Sequence, residues 1–445
     1  MSVLSRAGAP AATHEVAAAV AALLNNHQTS APATLLPFST PEAPVAECDS
    51  SATECADPPR LLGPSGLGAA ALRLPRPKSV TAPPPPVTAD PGAPQRIPLG
   101  PNGLGARSTA IKPSGAPIPP LYCPPPVRDD PALAAVVNDG LIDWAAEIGL
   151  YEGRLDDLRD AGFGRLIMLA HPDCDDADRL LAAAKCAVSE WSVDDYYCEE
   201  GADNRAPDGT PSSAEAELGP RLELAAAAMD PVHLPAAYAP RLEQAMRADP
   251  ILRAFRTSFE HLSRYATTAQ LARLRTEIAG WFIALGAEAG WRTAGRMPPV
   301  WEYLTNRQPH SFLPCMAPID VVGGYELQAA EYTDPRVRRV VTTAALASQM
   351  VNDLYSMARE DRSQGREFNL PTVLAAEENC SRREAVLRTA MIHDELVHRF
   401  ETEAAPLAAA GSAELRRFLT GLWAWMGGNR AWHADSKRYD VTERG

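Results

Sequence analysis

From residue 131 onward almost nothing in this chain reads as strand. Apolar residues recur at spacings of three and four over 132–148, 177–199, 241–262, 268–285, 335–362, 381–409 and 412–437, the pattern of helices that each bury one face. Alternating β-branched runs are nearly absent, so there is no sheet for these helices to cover. The expectation is an all-α domain of about ten helices around one core. Residues 1–127 differ in kind. They hold 25 of the 42 prolines, with runs at 83–86 and 124–126. Such runs favour extended polyproline chain, and the remaining Ala, Gly and Ser cannot build a core. The chain therefore divides into a Pro-rich leader predicted to be disordered, 1–127, and a helical domain, 128–445. Within the leader, residues 14–24 have the makings of a marginal isolated helix. Segments 62–69 and 99–106 echo each other as Leu-Gly-Pro-x-Gly-Leu-Gly-Ala. Neither copy follows a strand or opens a helix, so a nucleotide-binding glycine loop is not supported; plain low complexity or a partner-binding element fits better.

Charge narrows the partners. The leader has 8 Lys/Arg against 7 Asp/Glu, leaving 34 against 49 in the helical domain. A domain with net charge −15 and no basic block is unsuited to nucleic acid, whose phosphates need clustered Lys and Arg. The same sign suits multivalent cations. The eight cysteines form no C-x-x-C pair and no disulfide framework, as expected of reduced thiols in a cytoplasmic protein. No apolar run approaches the roughly 20 residues that span a bilayer, and residues 14–24 are a weak match to a signal peptide.

Two acidic stretches carry the chemistry. The first, Asp194-Asp195-Tyr196-Tyr197-Cys198-Glu199, closes the helix predicted over 177–199. Helical spacing sets Asp195 over Glu199, with Asp194 at the edge of that face. Carboxylates at a helix C-terminus oppose the helix dipole, so clustering them there costs stability unless cations offset it; a plain solvated helix end is the bland alternative. The second stretch runs from Asn352 to Glu360 and places Asn352, Ser356 and Glu360 in one column among Leu346, Met350, Val351, Leu354 and Met357. Polar residues bonded locally to the backbone would look similar, but their pairing with an acidic motif on another helix favours a site. Hard oxygen ligands in small number, without His or Cys, suit Mg²⁺ shared with a substrate phosphate. Arg307, in the helix-breaking segment 306–311, with Arg359 and the terminal Arg438-Tyr439, supplies donors for phosphate oxygens. Trp191 and Trp432 are placed to line an apolar cavity where their faces could steady a cation; Trp301, Tyr303 and Phe312 flank Arg307.

Asp194-Asp195-x-x-x-Glu199, Asn352-Asp353-x-x-Ser356-x-x-Arg359-Glu360, an arginine 45 positions before Asn352 and the terminal Arg438-Tyr439 resemble the motifs of bacterial class I terpene synthases over most of 128–445. The leader ending Tyr122-Cys123-Pro124-Pro125-Pro126-Val127-Arg128-Asp129-Asp130-Pro131 and the internal Cys198 resemble the actinobacterial 2-methylisoborneol synthases in particular. The resemblance implies a class I helical bundle that binds an isoprenyl diphosphate with three Mg²⁺. It implies cyclisation of 2-methylgeranyl diphosphate, made by a separate geranyl diphosphate C-methyltransferase, with water capture of the last cation. Asp194 would bridge two Mg²⁺ and Asn352, Ser356 and Glu360 would bind a third. Glu199 would complete the first motif, Asp195 would pair with the diphosphate sensor Arg307, and Arg359, Arg438 and Tyr439 would close over the leaving group. Homodimers are common in the family.

Three alternatives remain open at this point. One is a synthase of the same fold that makes 2-methylenebornane or cyclises geranyl or farnesyl diphosphate. Another is an isoprenyl chain-elongating transferase, which the Asn, Ser and Glu of the second motif disfavour because those enzymes carry two Asp-rich motifs. The last is a non-catalytic helical scaffold with a partner-recruiting arm.

Overall fold

The computed structural model describes residues 118–198, 212–360 and 368–439; of 358–360 only the helical backbone is described. The readings made on 1–117, on Glu199, on the loop at 200–211 and on the side chains of Arg359 and Glu360 lie outside these described residues. The described residues are mostly helical, with no strand among them. In chain order the helices are α1 (Pro131–Ile148), α2 (Leu155–Ala161), α3 (Phe163–Ala170), α4 (Ala177–Val193), α5 (Ala214–Met229), α6 (Ala239–Ala248), α7 (Pro250–Leu262), α8 (Thr268–Ala294), α9 (Val300–Arg307), α10 (Leu313–Met316), α11 (Ile319–Val322), α12 (Ala329–Tyr332), α13 (Pro335–Glu360), α14 (Leu370–Glu378), α15 (Arg382–Ala410) and α16 (Ala413–Asp435). A π-helical turn, Asp194–Cys198, continues α4, and a 3₁₀ turn, Lys437–Tyr439, follows α16. No helix among the described residues is long and apolar enough to cross a membrane.

The sequence marks most helix starts. Asp130 accepts from the Leu133 amide with Pro131 at the first position of α1, and Thr267 and Ser381 form capping boxes with Gln270 and Glu384 on α8 and α15. Each such cap is worth roughly 1 kcal/mol. The segment 241–262, read as one helix, is two. Asp249 ends α6 and its carboxylate caps α7 at Ile251, with Pro250 first in that helix; a proline lacks the N–H that would carry one ladder through. Helix α8 runs to Ala294 rather than stopping near 285. Gly286 and Gly290 disfavour helix by about 1 kcal/mol each, yet the buried Leu285, Glu288, Ala289 and Trp291 hold that last stretch against its neighbours.

Helix α3 has no counterpart in the periodicity reading because it is buried nearly all round. It lies between α1 and α16, and glycines let the backbones meet. A Cβ at Gly164 would sit 2.5 Å from the Ala134 carbonyl of α1, and one at Gly428 of α16 would sit 2.8 Å from the Leu169 backbone. Elsewhere α13 packs on α15 and α16, and α4 packs on α7 and α1. The end of the leader is ordered, contrary to the disorder expected up to 127. Residues 118–126 take no regular secondary structure and are pinned: the Tyr122 amide donates to Asp394 at 2.8 Å, its hydroxyl donates to Glu401 at 3.0 Å, and its ring stacks on His398. Extended proline-rich chain leaves its backbone groups open to side chains, and the acidic face of α15 provides the acceptors.

Candidate active site

One open-mouthed cavity, about 810 Å³ counting its mouth, gathers residues from α4 and its π turn, α8, α9, α10, α13 and the 3₁₀ turn. Asp194, Asn352, Ser356, Arg307, Arg438 and Tyr439, drawn from four places in the sequence, all line it.

The first motif does not keep α-helical spacing. At Asp194 the helix widens into the π turn, a form in which bonds run from i to i+5 and which recurs at functional sites. Asp194 and Cys198 enter the cavity wall. Asp195 is buried, 7% exposed, and accepts from Arg438 Nη2 at 2.7 Å and from the Tyr151 hydroxyl at 2.5 Å. Burial opposes the Arg438 charge, but Asp195 and Tyr439 more than offset it and hold the guanidinium above its ordinary pKa. Burial first, and then Asp195, raise the Tyr151 phenol far above its usual range, so it remains a donor.

The second motif is an uninterrupted helix. Ser356 is buried and Asn352 half-buried. The Asn352 amide has one consistent orientation. Its Nδ2 donates to Tyr439 Oη at 3.0 Å and to His433 Nε2 at 3.2 Å, while its Oδ1 accepts from Gln349 Nε2 at 3.2 Å. His433 can accept because its Nδ1 spends the ring proton on the Asn429 carbonyl, 2.8 Å away, and because burial lowers its pKa to about 3 and keeps it neutral. Asp353 serves another purpose. It is 1% exposed and accepts from the Tyr303 hydroxyl at 2.6 Å and the Leu370 amide at 2.9 Å.

Arg307 ends α9 instead of lying in a helix-breaking loop, and it is 6% exposed. Its Nε donates to Tyr303 Oη at 2.7 Å, Nη2 to the Phe368 carbonyl at 2.5 Å and Nη1 to His310 Nδ1 at 2.8 Å. Glu288 lies 3.6 Å away and also pairs with Arg292 at 2.9 Å. Burial would raise the Glu288 carboxyl, but His310, Arg307 and Arg292 together bring it down to about 2. The expected pairing of Asp195 with Arg307 is therefore absent in this conformation: Asp195 is satisfied by Arg438 and Tyr151, and Arg307 by the Tyr303–Asp353 relay.

The aromatic residues also divide. Trp191, Trp281, Phe312 and Phe368 line the cavity, but Trp432 does not. Its indole donates to the Ala161 carbonyl at 2.8 Å, and its ring stands edge-on behind Trp191 with centroids 6.1 Å apart. Trp432 thus buttresses the wall. Trp301 is 69% exposed and Tyr303 is wholly buried beside Arg307. Sequence reading missed Glu288, Arg292, His310, Gln349, His433 and Tyr151. The Glu288–Arg292 spacing of four was a usable signal, hidden by ending α8 too early; the remaining residues gave none, since they meet their partners only in the fold.

The donor set suits a hard divalent cation shared with a phosphate. Asp194, Asn352 and Ser356 offer only oxygen, three arginines line the same cavity, and among the described residues no three of His, Cys, Asp and Glu cluster into a protein-only metal site. Mg²⁺ characteristically binds through one or two protein ligands plus substrate phosphates.

The family description "Terpene synthase family 2, C-terminal metal binding" matches residues 185–399. The 2-methylisoborneol synthase of Saccharopolyspora erythraea is 39% identical over 76% of this chain and 92% of its own length. The chain belongs to the bacterial class I terpene synthases. A crystal structure of 2-methylisoborneol synthase from Streptomyces coelicolor in complex with Mg²⁺ and 2-fluoroneryl diphosphate superposes with a TM-score of 0.66 at 37% identity, covering 73% of this chain and 98% of that one. A farnesyl diphosphate-cyclising (+)-T-muurolol synthase of Streptomyces clavuligerus is more distant, 30% identical over 73% of this chain and 74% of its own length. This terpene synthase is thus a metal-dependent cyclase and a carbon–oxygen lyase acting on a diphosphate.

Proposed function

We propose that this terpene synthase cyclises 2-methylgeranyl diphosphate and captures water to release 2-methylisoborneol and diphosphate. The observation that carries the reading is the meeting of two oxygen-donor motifs and the arginines with an aromatic wall in one cavity. The choice of substrate draws on the relatives named 2-methylisoborneol synthase, at 38–39% identity. Its extra methyl group must come from a separate C-methyltransferase acting on geranyl diphosphate.

In this reading Asp194, with Glu199, and the column Asn352, Ser356 and Glu360 hold three Mg²⁺. The bound Mg²⁺ supplies Lewis-acid charge that stabilises the departing diphosphate. Arg307, Arg359, Arg438 and Tyr439 donate to its oxygens and stabilise the charge that develops there. Asp195 holds Arg438 in place. The allylic cation left behind isomerises, closes to an α-terpinyl-type and then a bornyl-type cation, and is met by the faces of Trp191 and Phe312, each worth up to about 2 kcal/mol when desolvated. Trp432 keeps Trp191 upright. Bulk water must be kept out until the last step.

The test is to incubate the full chain and Mg²⁺ with geranyl, 2-methylgeranyl and farnesyl diphosphates and to analyse the volatiles. The expected result is brisk turnover of the methylated substrate to a C11 tertiary alcohol. Preference for farnesyl diphosphate, or 2-methylenebornane as the main product, would overturn the assignment while leaving the cyclase chemistry intact.

A further inference from the structure

A cyclase that ends in an alcohol must keep a single water beside a cation that reacts with any nucleophile, so the wall needs a polar anchor away from the diphosphate donors. The wall carries three carboxyls among its described residues: Asp194, Glu190 and Glu288. Asp194 belongs to the first motif. Glu288 is tied to Arg292 and faces Arg307. Glu190 is neither. It is 5% exposed, and its one tether is the Cys315 thiol, which donates to Oε2 at 2.9 Å. Its Oε1 has no hydrogen-bond partner among the described residues.

We infer that Glu190 holds the water that captures the final carbocation, through a hydrogen bond at Oε1. This rests on the proposed alcohol-forming reaction. Glu190 precedes Asp194 by four residues on the same helix, so it lies on the same face about 6 Å along the axis. That offset sets the anchor one helix turn from the first motif. Leaving a buried oxygen unsatisfied is destabilising, and a water at this oxygen removes that cost. Next to Glu190, Trp191 lines the cavity and packs edge-on against Phe312, centroids 5.5 Å apart, so the anchor borders the aromatic surface proposed to face the cation.

The chemistry closes without a further reagent. A lone pair of the water oxygen forms the C–O bond to the tertiary cation, and the resulting oxonium loses its proton to the diphosphate released at ionisation. Glu190 gives and takes no proton overall. Burial raises its carboxyl to about 8 against the opposing Cys315 bond, which favours a neutral acid at pH 7. A neutral acid can anchor water without itself trapping the cation as an ester, as a carboxylate would. Burial and the adjacent Glu190 likewise keep the Cys315 thiol protonated and poorly nucleophilic.

The experiment compares wild type, Glu190→Gln and Glu190→Leu on 2-methylgeranyl diphosphate, reading diphosphate release and the alcohol share of the products separately. Glu190→Gln keeps a polar group at the anchor and should retain alcohol as the main product. Glu190→Leu should release diphosphate within about threefold of wild type while its alcohol share falls at least tenfold in favour of hydrocarbons. Glu190→Met, similar in length, takes its place should the leucine variant fail to fold. An unchanged alcohol share in the apolar variant overturns the water site, as does a parallel loss of diphosphate release and of all products. A wild-type enzyme that makes no alcohol from this substrate overturns the proposed reaction, and the water site falls with it; equal alcohol from wild type and Glu190→Leu overturns the water site alone.

Discussion

In α13 the donors Asn352 and Ser356 stand one α-helical turn apart in an unbroken ladder, whereas the first motif leaves α-helical geometry at its first donor. The two segments line the same cavity by different means. In α13 the spacing itself delivers both side chains to the wall, and neighbouring residues only fix their orientation. In the π turn, Asp194 reaches the wall while the adjacent Asp195 turns inward to Arg438 and Tyr151. Asp195 and Asp353 are the acids whose roles a motif reading most easily mistakes. Each is buried, and each holds the hydrogen-bonded support of a cavity residue, Arg438 in one case and the Tyr303 that carries Arg307 in the other. Consecutive side chains on a helix point about 100° apart, so one of two adjacent acids can face the cavity while the other turns inward to hold a neighbour.

The largest effect separates ligand from support. Asn352→Ala removes a proposed donor from a half-exposed position and should lower cyclisation by about 10²–10³-fold, the scale for removing one transition-state stabilising group. Helicity and melting temperature should change little, as read by circular dichroism. Near-normal activity would remove Asn352 from the ligand set.

Asp195→Asn should show the opposite balance. The amide keeps the shape but leaves the Arg438 guanidinium, 13% exposed at its side chain, without its counter-charge. Breaking a buried pair in this way typically costs about 3–5 kcal/mol, so urea unfolding should shift markedly, with a smaller fall in turnover of about tenfold to 10²-fold because Arg438 is misplaced rather than absent. Stability equal to wild type, combined with an activity loss as deep as that of Asn352→Ala, would make Asp195 a ligand and erase the contrast between the motifs.

What could be read from the sequence follows the same division. The column Asn352–Ser356 was legible because α13 obeys helical spacing, and the long amphipathic helices α1, α4, α13, α15 and α16 were legible for the same reason. The π turn was not, since no local residue preference marks it. Helix α3 was missed because a segment buried all round has no apolar stripe, and the end of α8 was missed because glycine propensity was overridden by packing. The exchange of arginine partners, with Asp195 held by Arg438 and not Arg307, depends on which side chains the fold brings within 3 Å, and motif spacing contains no record of that.

The smallest effect tests how the orderly motif is tuned. The orientation of the Asn352 amide is set by the acceptors its Nδ2 finds, Tyr439 Oη and His433 Nε2. His433→Phe removes one acceptor while keeping an aromatic ring where the imidazole stacks on Tyr439, 4.9 Å between centroids. Loss of the bond to the Asn429 carbonyl should cost about 1 kcal/mol of stability. The half-saturating Mg²⁺ concentration should rise about tenfold, the lower end of what outer hydrogen bonds to metal ligands contribute, with turnover at saturating Mg²⁺ nearly restored. Tyr439→Phe should raise the Mg²⁺ requirement similarly, but it also removes a proposed diphosphate donor, so its turnover should stay low at saturation. If His433→Phe leaves the Mg²⁺ requirement unchanged, Gln349 and Tyr439 alone fix the amide, and the second motif depends on its surroundings even less than its contrast with the π turn suggests.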